Sequence, residues 1–203
     1  MKIRTDFVTN SSSSSFTVSI AIDTVNNEVI ECDLTSGIEA EYGYVSITKS
    51  PADLGRCSTP EELKEMLRTS IKINDAEEVE INADEDDEYY DDLTCMILNA
   101  GNLKSMDEIK TITISSSLDN HNGTSEKTEA FTYYREQDVT VHASNSFSED
   151  DDDSEEEVES DEYDDYEEFD YGDGEPDGDL NFEVEGRLVE GTLINGRACF
   201  NNK

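Results

Sequence analysis

Asp173, Glu175, Asp177 and Asp179 set carboxylates at every second position of one short stretch, with Gly174 and Gly178 among them. Carboxylate oxygens at this spacing, beside a glycine that permits a sharp turn, are the donors that hard divalent cations take, calcium foremost. Just upstream, Val158, Tyr163, Tyr166, Phe169 and Tyr171 are threaded through a denser acidic run. That pattern suits a different chemistry: acids attract a basic surface over distance, and aromatic rings enter its pockets.

The metal reading has specific departures. Read from Asp173, the stretch resembles the first nine positions of an EF-hand loop, with Gly178 at the invariant turn and Leu180 at the apolar position. Pro176 interrupts it, and Val184 stands where a bidentate glutamate closes such a loop. No helix is readable on either side. Calcium held by Asp173, Glu175, Asp177 and Asp179 is therefore expected to bind weakly and with little selectivity, and no other cofactor is expected.

The run that contains both patterns, residues 149–179, has 20 Asp or Glu in 31 residues and no Lys or Arg, so it carries −20 of the chain's −38. Such a segment buries too little apolar surface to offset the entropy of ordering, and its charges repel, so a disordered acidic insertion is expected. Fully extended it spans about 100 Å, with an acid every ~5 Å, the order of the ~3.4 Å charge spacing along one nucleic-acid strand. Tyr163, Tyr166, Phe169 and Tyr171 are its candidate partner-binding residues. The expected function is a non-enzymatic acidic protein that binds a basic protein surface, as a polyanion mimic or inhibitor. The alternatives are a weak calcium binder and a globular protein whose acidic loop only keeps it soluble.

Enzyme chemistry finds little support. The chain has no P-loop, no G-x-S-x-G, no H-E-x-x-H and no Rossmann glycine fingerprint. His121 falls in a loop without a nearby His or Cys, and His142 faces away from Val139 and Val141 on a regular strand. Cys32, Cys57, Cys95 and Cys199 are far apart without a C-x-x-C pair. They read as reduced, mostly buried thiols, and not as disulfides or a zinc site.

Composition bounds the rest. Apolar residues make up 34% of 203 residues, below the roughly 45–50% of globular domains; outside the acidic run they suffice for one modest core. A pI near 4.1 opposes direct contact with nucleic acid or an anionic membrane, since like charges repel. No run approaches the ~20 apolar residues of a membrane helix. The opening MKIRTDFVTN has basic residues but no apolar h-region, so no secretory signal is expected, and the location expected is cytoplasmic.

The string Asp6-Phe7-Val8-Thr9-Asn10, then Ser11 to Ser15 and Phe16, resembles the N-terminal signature of a group of uncharacterised bacterial and phage proteins. The likeness covers about 16 residues and implies no activity. The serine run suits a turn or hydroxyl contacts to an anion.

The elements that must position these residues follow from periodicity. Phe16, Val18, Ile20 and Ile22 alternate with polar residues as a strand. Asn26-Asn27 supplies a turn, and Ile30, Cys32 and Leu34 form the returning strand. Tyr42, Tyr44, Val45 and Ile47 suggest a third strand, and Val79 and Ile81 a short one. Thr59-Pro60-Glu61-Glu62 is a capping box opening a helix near 60–71, with Leu63, Met66, Leu67 and Ile71 as its core stripe. Leu93, Met96, Ile97 and Ala100 mark a second helix near 88–100, stopped by Gly101. Ser105 starts a short turn before a strand through Ile112 and Ile114. Two further strands flank Glu136-Gln137, and Asn195-Gly196 closes a terminal hairpin. The fold class is α+β, mostly antiparallel sheet with two main helices. The expected organisation is a domain over 1–148, the acidic segment 149–179, and a hairpin in 180–203 docking on the first domain.

Overall fold

A computed structural model of the chain describes residues 14–34, 45–73, 88–120, 125–148, 180 and 182–201. Its centre is a seven-stranded, mostly antiparallel sheet, and the fold class is α+β. The first strand, β1 (Ser14–Thr24), pairs with β2 (Val29–Asp33) on one side and with β5 (Ile109–Asn120) on the other. The serine run thus ends inside a strand, since Ser14 and Ser15 pair with Asn120 and Asp119. Asn27 turns the β1–β2 hairpin at φ 61°, a left-handed conformation that asparagine tolerates.

A small second sheet joins β3 (Val45–Ile47) to β4 (Ile71–Ile73). Between them lie α1 (Pro51–Gly55) and α2 (Pro60–Ser70). Ile71 closes the apolar stripe of α2 but is not helical: at φ −95° and ψ 128° it caps the helix and begins β4. The expected capping box is shifted by one residue. Thr59 accepts from the Glu62 amide, while the Glu62 carboxylate reaches past Thr59 to the Ser58 amide at 2.7 Å. Sequence periodicity missed α1, a helix too short to show an apolar stripe. Its signal was local: Ser50 and Asp53 cap each other reciprocally, with Pro51 at the first helical position, the same chemistry that opens α2.

The helix α3 (Glu88–Gly101) follows, then a 3-10 turn at Met106–Glu108 and the meander β5, β6 (Ser125–Tyr134) and β7 (Val139–Ser148). The registers sort side chains onto two faces, because alternate residues of a strand point oppositely. Val18, Ile20, Ile22, Ile112, Ile114 and Phe131 face the helices. They form one core with Leu54, Leu63, Leu67, Leu93, Met96 and Ile97. Each fully buried Leu or Ile contributes on the order of 1.5–3 kcal/mol.

The opposite face takes the C-terminal hairpin. The strand β8 (Arg187–Ile194) lies parallel to β7, with Val141 opposite Val189 and His142 opposite Glu190. The antiparallel expectation did not include this pair. Parallel neighbours cannot be joined by a tight turn, because the chain must first return along the strand's length. Residues 149–186 join the two strands in sequence. After a turn at Asn195 (φ 49°) and Gly196 (φ 72°), β9 (Arg197–Phe200) lies against the second face. There Ala198 packs with Ala130, Val139, Val141 and Ala143. The Ala198 amide donates to Thr132 Oγ1 at 2.9 Å, and Tyr134 Oη donates to the Ala198 carbonyl at 3.2 Å. Gly191 permits the fold-back, since a Cβ there would overlap Val141 and the Cys199 carbonyl.

Candidate interaction surface

The expected strand residues Tyr42, Tyr44, Val79 and Ile81 lie outside the described residues, as does His121. So do the partner-binding candidates Tyr163, Tyr166, Phe169 and Tyr171 and the metal candidates Asp173, Glu175, Asp177 and Asp179. The chain is described again at Leu180, which is buried in the main core, with Phe182 and Val184 packed against it. Phe182 meets Phe131 edge-on at 4.9 Å between ring centroids. Among the described residues, no group of three or more His, Cys, Asp or Glu side chains is placed to hold a metal ion.

Electrostatics of the described residues is one-sided. Arg56 bonds Asp138 at 2.8 Å, Arg135 bonds Asp107 at 2.9 Å, and Arg197 bonds Asp23 through both carboxylate oxygens. Lys64 and Arg68 pair with Glu61 and Glu65 one turn earlier on α2. Five of the chain's 14 Lys and Arg thereby serve internal contacts. Hydrogen bonds from Tyr133 and from Arg56 hold the Asp138 carboxyl below the usual carboxylate range. Burial, then the bond to Asp138, pushes the Tyr133 hydroxyl up. The group fastens the β6–β7 turn to α1, and Gly186, at φ +100°, leaves room for the Arg56 guanidinium.

Comparison with protein-family models, with curated proteins and with solved structures finds no match to this chain. The reading of the surface therefore rests on its own geometry.

That geometry points to the β2 edge. Among the described residues, no strand pairs with the outer side of β2. A groove of about 510 Å³ wraps this edge between β1, β2 and α3, lined by Val29, Glu31, Asp33, Asp92, Cys95 and Asn99 among others. Among the described residues, no Lys, Arg or His lines it. Val29 is 47% exposed. At the groove wall Cys32 is buried, and its thiol is pushed up to about 12, by burial first and then by Asp92 and Asp33.

The four cysteines are all free, but only Cys32 and Cys57 are buried; Cys95 is exposed and Cys199 half-buried. The expectation of mostly buried thiols holds for those two. Cys95 lines the groove beside β2, with Asp92 and Asn99 one turn to either side on α3.

His142 faces the helices' side of the sheet, opposite to Val139 and Val141. Its Nε2 lies 2.6 Å from Glu129 Oε1, its Nδ1 3.5 Å from Glu190 Oε2, and its ring stacks on Phe131 at 4.4 Å. Both ring nitrogens therefore meet carboxylates, from the strands on either side, and the imidazole ties β6, β7 and β8 together. Glu129 Oε2 and the Thr140 hydroxyl are buried there without a hydrogen-bond partner among the described residues. Sequence reasoning placed His142 on the correct face but had no means of finding Glu190, which only the parallel register brings beside it.

No described helix is long and apolar enough to cross a membrane.

Proposed function

We propose that this chain is a non-enzymatic interaction protein that engages a basic protein surface as a polyanion, competing there with nucleic acid. The observation that carries this reading is the disposition of charge. The chain has 52 acids against 14 Lys and Arg, and Arg56, Arg68, Arg135, Arg197 and Lys64 are bound to its own carboxylates. The outward balance is strongly acidic, and its field attracts cations and repels phosphate.

The segment 149–179 fits this role through its place in the chain. It is joined to β7 at one end and to the core, through Leu180, at the other. Its acids steer a partner, and Tyr163, Tyr166, Phe169 and Tyr171 anchor it. The same charge opposes direct binding to nucleic acid or to an anionic membrane. Free thiols fit a reducing cytoplasm.

Affinity capture from lysate with the full chain, at low and at moderate salt, tests the reading. Captured proteins should be basic, should be released as salt rises, and should be displaced by duplex DNA that binds them. A captured set with no excess of basic proteins would overturn it.

A further inference from the structure

We propose that the outer edge of β2 is a docking strand, onto which an extended lysine- or arginine-bearing segment of the partner adds as a further strand of the sheet. This rests on the reading of the chain as a binder of basic proteins and names the form in which the partner is bound.

The backbone supplies the template. The Leu34 amide donates to the Val18 carbonyl at 2.7 Å, and the Thr24 amide donates to the Glu28 carbonyl at 2.9 Å. With the β1–β2 register, these bonds make Leu34–Val18, Cys32–Ile20, Ile30–Ile22 and Glu28–Thr24 the hydrogen-bonded pairs of the ladder. Antiparallel ladders alternate such pairs with pairs whose backbone groups point away. The N–H and C=O of Val29 and Glu31 are therefore directed outward, on the side where no described strand lies. An incoming strand finds two donors and two acceptors at the repeat of a β-ladder, which is the basis of strand addition.

Charge selects the occupant. Charged side chains protect exposed edges from pairing with their like, and on this edge the charges are acids, which attract cations. Glu31 and Asp33 project to one side of β2, and Asp92 and Asn99 of α3 line the groove on the other. A second copy of the chain would bring like charges together along the edge. A segment with cations at alternate positions would set them on the face of Val29, Glu31 and Asp33, with its apolar side chains on the face of Ile30 and Cys32.

Amide hydrogen exchange on the full chain tests this, with a nine-residue peptide alternating lysine and valine as the probe. Three further reagents complete the experiment: the same peptide N-methylated at alternate residues, polylysine, and the Glu31→Pro variant. Proline suits an edge position whose amide faces outward, so Glu31→Pro keeps the β1 pairing and removes one outward donor. The peptide should slow exchange at the Val29 and Glu31 amides. N-methylation and Glu31→Pro should each weaken binding about tenfold, the order expected for losing one or two backbone hydrogen bonds. Should Glu31→Pro fail to fold, the N-methylated peptide alone decides. Peptide binding without protection at Val29 and Glu31, or undiminished by N-methylation, would overturn the edge site and leave the basic-partner reading standing. Failure of both peptide and polylysine to bind at low salt would overturn that reading too. Protection of the same amides on self-association of the free chain would assign the edge to a second copy and overturn the proposal.

Discussion

Arg197 grips Asp23 through both carboxylate oxygens, Nε to Oδ2 at 2.6 Å and Nη2 to Oδ1 at 2.8 Å, across 174 residues of sequence. Thr111 donates a further bond to Oδ2 at 2.7 Å. The bond to Asp23 is the main reason that the Arg197 guanidinium is held even more firmly in its charged form. Through it the terminal hairpin is bound to the first strand of the sheet.

Loss of this clasp should loosen the hairpin. Arg197→Ala is expected to reduce stability by roughly 1.5–3 kcal/mol, the range for hydrogen bonds to charged groups, and to expose the 186–196 region to protease. Arg197→Lys should recover only part, because an ammonium cannot reproduce the two-pronged geometry. Urea titration with limited proteolysis measures both; a hairpin equally protected in Arg197→Ala would remove the clasp from the account of the fold.

The buried carboxylate beside His142 makes a second prediction. In His142→Ala, Glu129 loses its one partner while its Oε2 already has none among the described residues. Leaving a largely buried charge unpaired typically costs about 3–5 kcal/mol. The double variant His142→Ala with Glu129→Gln should be more stable than His142→Ala alone, and the reverse order in thermal melts would contradict the pairing.

Alkaline pH should weaken the fold through Cys32. Burial first, then Asp92 and Asp33, pushes its thiol up to about 12 in the fold, against ~8.5 in an unfolded chain. A raised value means that the stability is fully present below the unfolded pKa and is lost as pH rises toward the folded one. The loss is about 1.4 kcal/mol per pH unit in that window, and Cys57, pushed up to about 11 mainly by burial, adds in the same direction. Between pH 7.5 and 10, urea unfolding of wild type should lose roughly 2 kcal/mol more than that of Cys32→Ala. Parallel curves would show that Cys32 ionises freely in the fold.

The acidic segment should separate steering from anchoring. Replacing Tyr163, Tyr166 and Phe169 together by Ser keeps all 20 acids of residues 149–179. Charge attraction decays over a Debye length of ~8 Å at physiological salt, whereas buried rings act by slowing dissociation. The variant is expected to fold normally yet lose most of its affinity for a captured basic partner at moderate salt. Equal binding would reduce the segment to a solvating spacer.

Calcium should bind weakly at most, given Pro176 and Val184 in the Asp173–Asp179 stretch. Titration calorimetry is expected to give no micromolar site. A micromolar site lost in Asp173→Ala would instead make the chain a calcium-binding protein.

The sequence by itself determined the strands and helices whose signals are local. Alternation over Val18, Ile20 and Ile22, the Thr59-Pro60 cap, the Leu93–Ala100 stripe and the Asn195-Gly196 turn each express a backbone preference set within a few residues. The charge imbalance was legible in the same way, because counting acids needs no coordinates. The tertiary structure decided what depends on distant chain. Asp23 reads as one polar position of an alternating strand until Arg197 is brought to it. Glu190 is a surface acid until the parallel register sets it beside His142. That no described strand pairs with the outer side of β2 is visible only once strand order is known, since an edge and a central strand share the same local pattern. These relations come from non-local pairing, and the residues that make them carry no signature of their partners in their own neighbourhood.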